Sequence, residues 1–415
     1  MIEEKILKEA KLRIEKILNY SADEHNIFTP WKLCIDMLDS VEINGTHDVL
    51  VIANLEFVFL LNKRLGSLDN VWFMTPCEIK EKTAIALGIS LKHILKMTYN
   101  IKELDVMKFD YIIMNPPYNQ AAKAGRGGGS GSAIWQKFVL HSKNLLNDDG
   151  TLIVIHPDGW RDHPTDPGKN GIAREKHQVF KMLTDGGLVE LHMMEFSAFN
   201  GIGTSTDWYV YKNGRNGKTK VFYSDGSENN LNFIGYQKQI LKLNTSSIGF
   251  IIINKVITDV NYNSGIILDS VFQGKIKTLN GPIGNYKITH GSRWTKDKWE
   301  YSKLPHIHQF NDKVVICAMR DVQAKYFSKQ QEIGCGAHTH YWLVNTKEEG
   351  ESIAALCNSK LFAYIKNILI HKSNAWTPYW IWKQLKVDGI TGLLTDEDFY
   401  KHYQLTEEEI KCIKQ

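Results

Sequence analysis

Apolar and polar positions follow helical spacing and strand spacing in turn along the first half of this chain. Between residues 2 and 20, Ile6, Leu12, Ile14, Ile17 and Leu18 stand among charges, which predicts an amphipathic surface helix. A second apolar stripe begins after Asn26-Ile-Phe-Thr-Pro30 and runs to Leu38. Pro30 suits its first helical position and Thr29 its N-cap. Residues 48–53 then predict a buried strand, followed by a turn and a helix to Arg64. Strands are expected again at 70–75, at 99–105 and at 109–114. The last, Phe109-Asp-Tyr-Ile-Ile-Met114, is apolar except at Asp110, as in a parallel strand covered on both faces. A helix from Ala133, a strand at 151–156 and two closing antiparallel strands near 188–196 and 206–212 complete this half. Strands that alternate with helices predict a doubly wound α/β sheet.

The turn cluster Asn213-Gly-Arg-Asn-Gly217 marks a domain boundary, with one domain over 1–215 and another over 216–415. Beyond it the pattern is irregular, with short strands, glycine turns and many aromatics. The run Trp376-Thr-Pro-Tyr-Trp-Ile-Trp382 reads as core, and Leu405-Thr-Glu-Glu-Glu-Ile410 starts a capped helix. A chain of 415 residues exceeds one ordinary core, so two domains are expected.

Composition narrows the class. With 43% apolar and 23% charged residues the chain is a folded protein rather than a disordered one. The longest apolar runs, 49–61 and 248–254, are too short or too interrupted to cross a membrane, and Met-Ile-Glu-Glu-Lys is no signal peptide. The six cysteines form no Cys-x-x-Cys pair, so reduced thiols and a cytoplasmic protein are expected. Cys335-Gly-Ala-His338-Thr-His340 matches no standard zinc spacing, and no metal is expected. Charge is unevenly placed. Residues 1–215 hold 25 Lys+Arg against 27 Asp+Glu, a net of −2, and residues 216–415 hold 25 against 19, a net of +6. The basic half points to a polyanion partner.

The candidate chemistry sits at Asn115-Pro116-Pro117-Tyr118. Two prolines end the strand, because neither donates a backbone hydrogen. Asn115 therefore stands at the carboxyl end of a central strand, where open α/β sheets bind ligands. Its side-chain oxygen and the Pro116 carbonyl can accept the two hydrogens of an exocyclic amine. The Tyr118 ring can lie on the face of the heterocycle. The glycine-rich stretch 123–132 reads as a lid over this site and not as a phosphate cradle, because no Gly-Lys-Ser/Thr follows it. His290-Gly-Ser-Arg293-Trp-Thr-Lys296-Asp-Lys298-Trp299 interleaves cations with indoles, which suits phosphate contact and stacking.

The decapeptide that ends in Asn115-Pro116-Pro117-Tyr118 resembles the catalytic motif of S-adenosylmethionine-dependent amino-methyltransferases. Phe28-Thr29-Pro30 before the first strand is similar to the motif that closes over the cofactor in gamma-order DNA adenine N6-methyltransferases. The resemblance covers 26–212 and implies a class I methyltransferase, Rossmann-like and doubly wound, followed by a C-terminal mixed α+β target-recognition domain. It implies S-adenosylmethionine as cofactor, DNA as partner, room for a cognate restriction endonuclease, and methylation of a flipped-out adenine. The tetrapeptide is the catalytic set. The cofactor set is Phe28, Thr29, Pro30, Asn54, Glu56 and Phe57, with Glu78 for the ribose and Glu103 or Asp105 for the cofactor's adenine. Phe138, Arg293, Lys296 and Lys298 are the substrate set. The chain departs from the family at its cofactor turn, which has no glycine between Asp48 and Leu65. There Asn54 is expected to take left-handed geometry in place of a glycine. His156, at the end of the strand at 151–156, is expected to be structural or a substrate contact rather than a base. RNA-adenine or protein-glutamine methylation, and a DNA-binding relative without activity, are the alternatives.

Overall fold

The first strands form because short β-branched and aromatic runs are closed by turn residues, and the helices between them each present one apolar stripe. The computed structural model describes residues 29–75, 77–96, 107–118, 133–161, 171–194, 199, 205–234, 246–258, 262–268, 286–289, 296, 299–302, 305–317, 323–336, 339–369 and 379–415. The helix expected at 2–20 and the stretch 123–132 lie outside the described residues. The chain divides into two units, Met1–Tyr236 and Gln237–Gln415.

In the first unit α1 (Trp31–Asp39) precedes β1 (Val49–Ile52), α2 (Leu55–Leu65), β2 (Val71–Thr75), α3 (Glu78–Ala86), β3 (Ile94–Lys96) and β4 (Phe109–Met114). Then come α4 (Trp135–Leu145), β5 (Leu146–Pro157), α5 (Gly171–Met182), β6 (Leu188–Met193), β7 (Thr206–Lys212), β8 (Thr219–Phe222) and β9 (Glu228–Leu231). One nine-stranded sheet runs β3-β2-β1-β4-β5-β7-β6-β8-β9. β1 pairs in parallel with β2 and with β4, and β7 runs antiparallel to both β5 and β6. All four residues of β1 are buried, which explains its unbroken apolar sequence. The stripe of α1 (Leu33, Met37, Leu38) and that of α2 (Phe57, Val58, Leu61) share one core cluster with Val51 and Phe73. Each such side chain contributes roughly 1.5–3 kcal/mol relative to exposure.

A third parallel strand pairs Ile94–Lys96 with β2, ahead of the expected 99–105, which lie outside the described residues. The boundary expected at 215/216 falls inside the first unit, which extends to Tyr236. The cluster at 213–217 is a turn, but the chain re-enters the sheet after it, with Glu190–His192 pairing in parallel with Lys220–Phe222.

The second unit has an antiparallel sheet ordered β10 (Ile266–Leu268), β15 (Thr339–Leu343), β13 (Lys313–Cys317) and β14 (Gln323–Phe327). A separate hairpin pairs β11 (Tyr286–Ile288) with β12 (Glu300–Ser302). Its helices are α6 (Ser247–Val256), α7 (Lys347–Asn358), α8 (Lys360–Leu369), α9 (Tyr379–Gln384), α10 (Asp396–His402) and α11 (Glu407–Lys414). Thr406 and Glu409 form the capping box expected before α11, and Trp382 is buried core. Among the described residues no helix is long and apolar enough to cross a membrane.

Candidate active site

The strand order reverses at β1, which has β2 and β3 on one side and β4 and β5 on the other. A doubly wound sheet opens its ligand crevice beyond the carboxyl ends of the strands at such a reversal. Ala53-Asn54 leaves β1 there and Asn115-Pro116-Pro117-Tyr118 leaves β4.

A hydrogen-bond frame joins these two exits. The Asn115 backbone N–H donates to Asn54 Oδ1 at 2.8 Å. A backbone N–H can only donate, so the Asn54 amide has one orientation, with its Nδ2 donating to Thr29 Oγ1 at 3.3 Å. Asn115 Nδ2 donates to the same hydroxyl at 3.1 Å, which turns Asn115 Oδ1 away from Thr29. The Thr29 backbone N–H donates to Glu56 Oε1 at 3.1 Å. Thr29 is therefore not the helix cap expected of it: the N-cap of α1 is Pro30, with no side-chain cap bond, and the hydroxyl serves two buried amides instead. Thr29, Asn54, Glu56 and Asn115 are all buried.

The turn after β1 is built without glycine. Ala53, not Asn54, takes the left-handed conformation, at φ 67°, while Asn54 is extended at φ −115°. That conformation costs a residue with a Cβ about 1–2 kcal/mol. The Ala53 N–H donates to the Met74 carbonyl at 2.8 Å, and its carbonyl accepts from Lys80 Nζ at 2.7 Å. A hydrogen bond from a charged donor contributes about 1.5–3 kcal/mol, enough to offset the strain. Burial raises the Glu56 carboxyl above its usual range, and the Lys80 ammonium pulls it part of the way back. Burial lowers Lys80, and Glu56 opposes that shift. Nothing in the periodicity marks Lys80; only its carbonyl partner, 27 positions away, reveals it.

On the other side of the reversal, the Tyr118 carbonyl accepts from the Ile134 N–H at 2.9 Å and so ties the tetrapeptide to the entry of α4. Burial raises the Tyr118 phenol. The Tyr118 hydroxyl and both polar atoms of the Gln136 amide are buried without a hydrogen-bond partner among the described residues.

His156 ends β5. Its Nδ1 lies 2.8 Å from the Pro157 carbonyl, so that nitrogen carries the hydrogen, and Nε2 at 2.9 Å accepts from the Tyr209 hydroxyl. The ring stacks on Trp135 at 4.1 Å between centroids, and burial pushes it down to about 3. Neither nitrogen has a lone pair to spare, so His156 is a neutral structural group. Beside it Asp207 binds Arg161 Nε at 2.8 Å and accepts from Trp160 Nε1 at 3.0 Å. Burial raises its carboxyl and the guanidinium opposes the rise.

The frame thus brings together Thr29, Asn54, Glu56 and Asn115, next to Pro30 and Pro116. Phe57 is fully buried in the core cluster of the sheet. Glu78 is exposed at the start of α3, where its carboxylate pairs with Lys82 at 2.7 Å. Phe138 is buried in α4. Lys296 is exposed. Phe28, Glu103, Asp105, Arg293, Lys298 and His338 lie outside the described residues, while Cys335 and His340 are buried.

Five parallel strands ordered 3-2-1-4-5, completed by an antiparallel β7 inserted between β5 and β6, make the first unit a class I methyltransferase fold. The segment 60–171, which spans β2 to β5, matches the model of the family described as Eco57I restriction-modification methylase. No curated protein sequence matches the chain. Among solved structures it is similar to a modification subunit of a putative type I restriction enzyme from Vibrio vulnificus (11% identity, 53% of this chain and 51% of that one, TM-score 0.38). It is also similar to the methyltransferase subunit of a type I restriction-modification system from Streptococcus thermophilus (16% identity, 51% and 50%, TM-score 0.38). A third is the type IIG restriction endonuclease BpuSI (10% identity, 95% of this chain and 61% of that one, TM-score 0.44). The match takes in about half the length of each of the first two.

Proposed function

We propose that this protein methylates the N6 amine of an adenine in DNA with S-adenosylmethionine, in a sequence-specific manner. The observation that carries the reading is the frame of Thr29, Asn54 and Asn115, which holds an acceptor oxygen at the carboxyl edge of β4. The restriction-modification methylase segment supports DNA as the substrate class.

The residues present fit the cofactor at its methionine end. A buried carboxylate at Glu56 suits an ammonium group, and Thr29 and Pro30 stand beside it. The ribose contact first expected of Glu78 is not part of this reading, because that carboxylate is engaged with Lys82 in solvent. When bound, the cofactor supplies an electrophilic methyl group.

The protein's own part is positioning. A target adenine leaves the duplex, because its amine is otherwise paired. Asn115 Oδ1 accepts one amine hydrogen and the Pro116 carbonyl the other, which draws the nitrogen lone pair out of ring conjugation. The Tyr118 ring covers the face of the base. Fixed oxygen dipoles meet the positive charge that develops on nitrogen, and holding the partners in line supplies much of the rate. The methylated nitrogen is acidic and gives up its surplus proton to water, so no strong side-chain base is called for, and both nitrogens of His156 are already committed. The first unit does this chemistry and the second, the more basic one, holds the DNA.

Labelled cofactor offered with duplex DNA, structured RNA or glutamine-bearing peptide tests the reading. Label should appear on adenine in duplex DNA, and Asn115→Ala should abolish it while leaving cofactor affinity within a few-fold. Label on RNA or peptide alone would overturn it.

A further inference from the structure

The crevice has a second wall, on the β5 side of the tetrapeptide. β5 lies parallel to β4, with Met114 opposite Val154, and the turn Asp158–Arg161 leaves its carboxyl end. At about 4.8 Å between neighbouring strands, this exit stands within roughly 10 Å of Asn115-Pro116-Pro117-Tyr118. Two helices begin against the two exits. The bond from the Ile134 N–H to the Tyr118 carbonyl fixes the entry of α4, and α5 packs on the turn at Gly159. Lys137 of α4 and Glu175 of α5 approach to 3.9 Å, which sets the beginnings of the two helices side by side. The Gln136 amide and the Tyr118 hydroxyl, both buried at this junction, have no hydrogen-bond partner among the described residues. Buried polar groups are nearly always bonded, so an exception asks for an explanation, and a ligand that completes it is one.

Lys176 stands at the same junction. Its ammonium lies over Gly159, where a Cβ would fall 3.1 Å from Nζ and 3.7 Å from Cε. The bare backbone there lets the ammonium settle onto the turn. Lys176 is half-buried and has neither an ion pair nor a hydrogen bond among the described residues. The charges around it are engaged elsewhere. Glu175 is turned to Lys137. Asp158 accepts from Arg161 at 3.2 Å and from the Ser205 hydroxyl at 2.5 Å, and Asp207 binds Arg161 at 2.8 Å. Helix α5 itself holds Arg174, Lys176 and Lys181 against Glu175, a net of +2, within a half of the chain whose net is −2. A half-buried ammonium without a counter-charge is unfavourable, so an anion is the missing partner. The cofactor does not supply it, because Asn54 and Glu56 follow β1, and β4 lies between β1 and β5. An adenosine whose amine meets Asn115 extends its own sugar and phosphates past the neighbouring exit.

We propose that Lys176 holds a backbone phosphate beside the extruded adenosine. The first unit then grips the target nucleotide at both ends, its amine at Asn115 and its phosphate at Lys176. This rests on the reading of the protein as a DNA adenine methyltransferase. Such a contact fixes position and carries no sequence information.

The test replaces each phosphate that flanks the methylated adenine, in turn, by an uncharged methylphosphonate. Single-turnover methylation at subsaturating DNA is followed for full-length wild type, Lys176→Met and Lys176→Arg, with a melting curve for each protein. At one flanking position the replacement should slow wild type about tenfold, the scale of one hydrogen bond to a charged group. Lys176→Met should be about tenfold slower on unmodified DNA and lose nothing more at that position, because the pair is already broken. Its DNA binding should show a salt slope shallower by about one unit, with cofactor affinity unchanged. Lys176→Arg keeps the charge and should keep both the slope and the sensitivity. Wild type indifferent to both methylphosphonates would overturn the contact, and this arm stands even where a variant fails to fold. A methionine variant slowed by them as wild type is, an arginine variant that behaves as the methionine one, or loss of cofactor affinity in Lys176→Met would overturn it too. Where wild type still methylates adenine in duplex DNA, only the contact falls. If wild type labels RNA or peptide alone, the reading it rests on falls with it.

Discussion

Thr29→Val is the most informative single change in the frame. Valine keeps the shape of threonine and removes the one oxygen that two buried amides share. Asn54 Nδ2 at 3.3 Å and Asn115 Nδ2 at 3.1 Å then both lose their acceptor. Asn54 is 3% and Asn115 8% exposed, so water does not readily replace it. A buried donor left unpaired costs about 1–3 kcal/mol, so the pair costs roughly 2–6 kcal/mol before the site relaxes. In a unit of this size each kcal/mol lowers the melting temperature by about 2–4 °C, so a fall of at least about 5 °C is expected. The same loss frees the Asn115 amide to rotate. Each 1.4 kcal/mol of lost alignment slows transfer about tenfold, so single-turnover methylation should fall roughly 10- to 100-fold. The Thr29 backbone bond to Glu56 survives the change, so cofactor affinity should fall much less than the rate. Thr29→Ser keeps the oxygen and should restore both stability and rate. A valine variant with wild-type melting and wild-type single-turnover rate would show that the hydroxyl does not hold Asn115, and the frame would lose its role.

Tyr118→Ala should weaken capture of the extruded base more than overall DNA binding. An unchanged 2-aminopurine signal at the target would remove Tyr118 from the stacking role. Lys80→Met should lower stability and cofactor affinity, and lower them less in an Ala53→Gly background, because glycine takes positive φ without strain. Equal losses in the two backgrounds would separate Lys80 from the turn. His156 gives a pH prediction. Its imidazole is pushed down to about 3 from 6.5, so between those values the unfolded chain binds a proton that the folded chain does not. Stability therefore rises with pH across that window and is lost as pH falls from 6.5 toward 3. His156→Gln should flatten this limb of the melting temperature against pH, and identical limbs would refute the burial account.

The tetrapeptide was legible because its signal is local. An apolar run stopped by two prolines fixes both the strand and its end. The sheet was legible for the same reason, since strands buried on both faces show as continuous apolar runs. The frame was legible only in its parts. Thr29 and Asn115 stand 86 residues apart, and no periodicity records a hydrogen bond over that distance. Local rules gave Thr29 a capping role because threonine before Pro30 often caps; tertiary demand took the hydroxyl for two buried amides instead. The first unit runs past the turn at 215/216 to Tyr236, because a glycine and asparagine cluster marks a turn whether or not the chain rejoins the same sheet, and here β8 returns to pair with β6. Phe57 and Glu78 were named by analogy of position, and the structure places one in the core and the other in solvent.

The turn after β1 shows how such a site can do without its glycines. Glycine serves there because it takes positive φ freely and lets backbone approach a ligand. Asparagine was the expected substitute, being the residue that best tolerates left-handed geometry. Had Asn54 taken it, its side chain would have pointed elsewhere, and the Asn115 N–H would have lost its acceptor. The chain instead places the strain one residue earlier, at Ala53, and ties that carbonyl to Lys80. Asn54 is then free to stay extended and reach Asn115. In this protein one strained alanine and one half-buried lysine couple the turn after β1 to the tetrapeptide after β4, a link that a glycine turn, having no side chain, could not make.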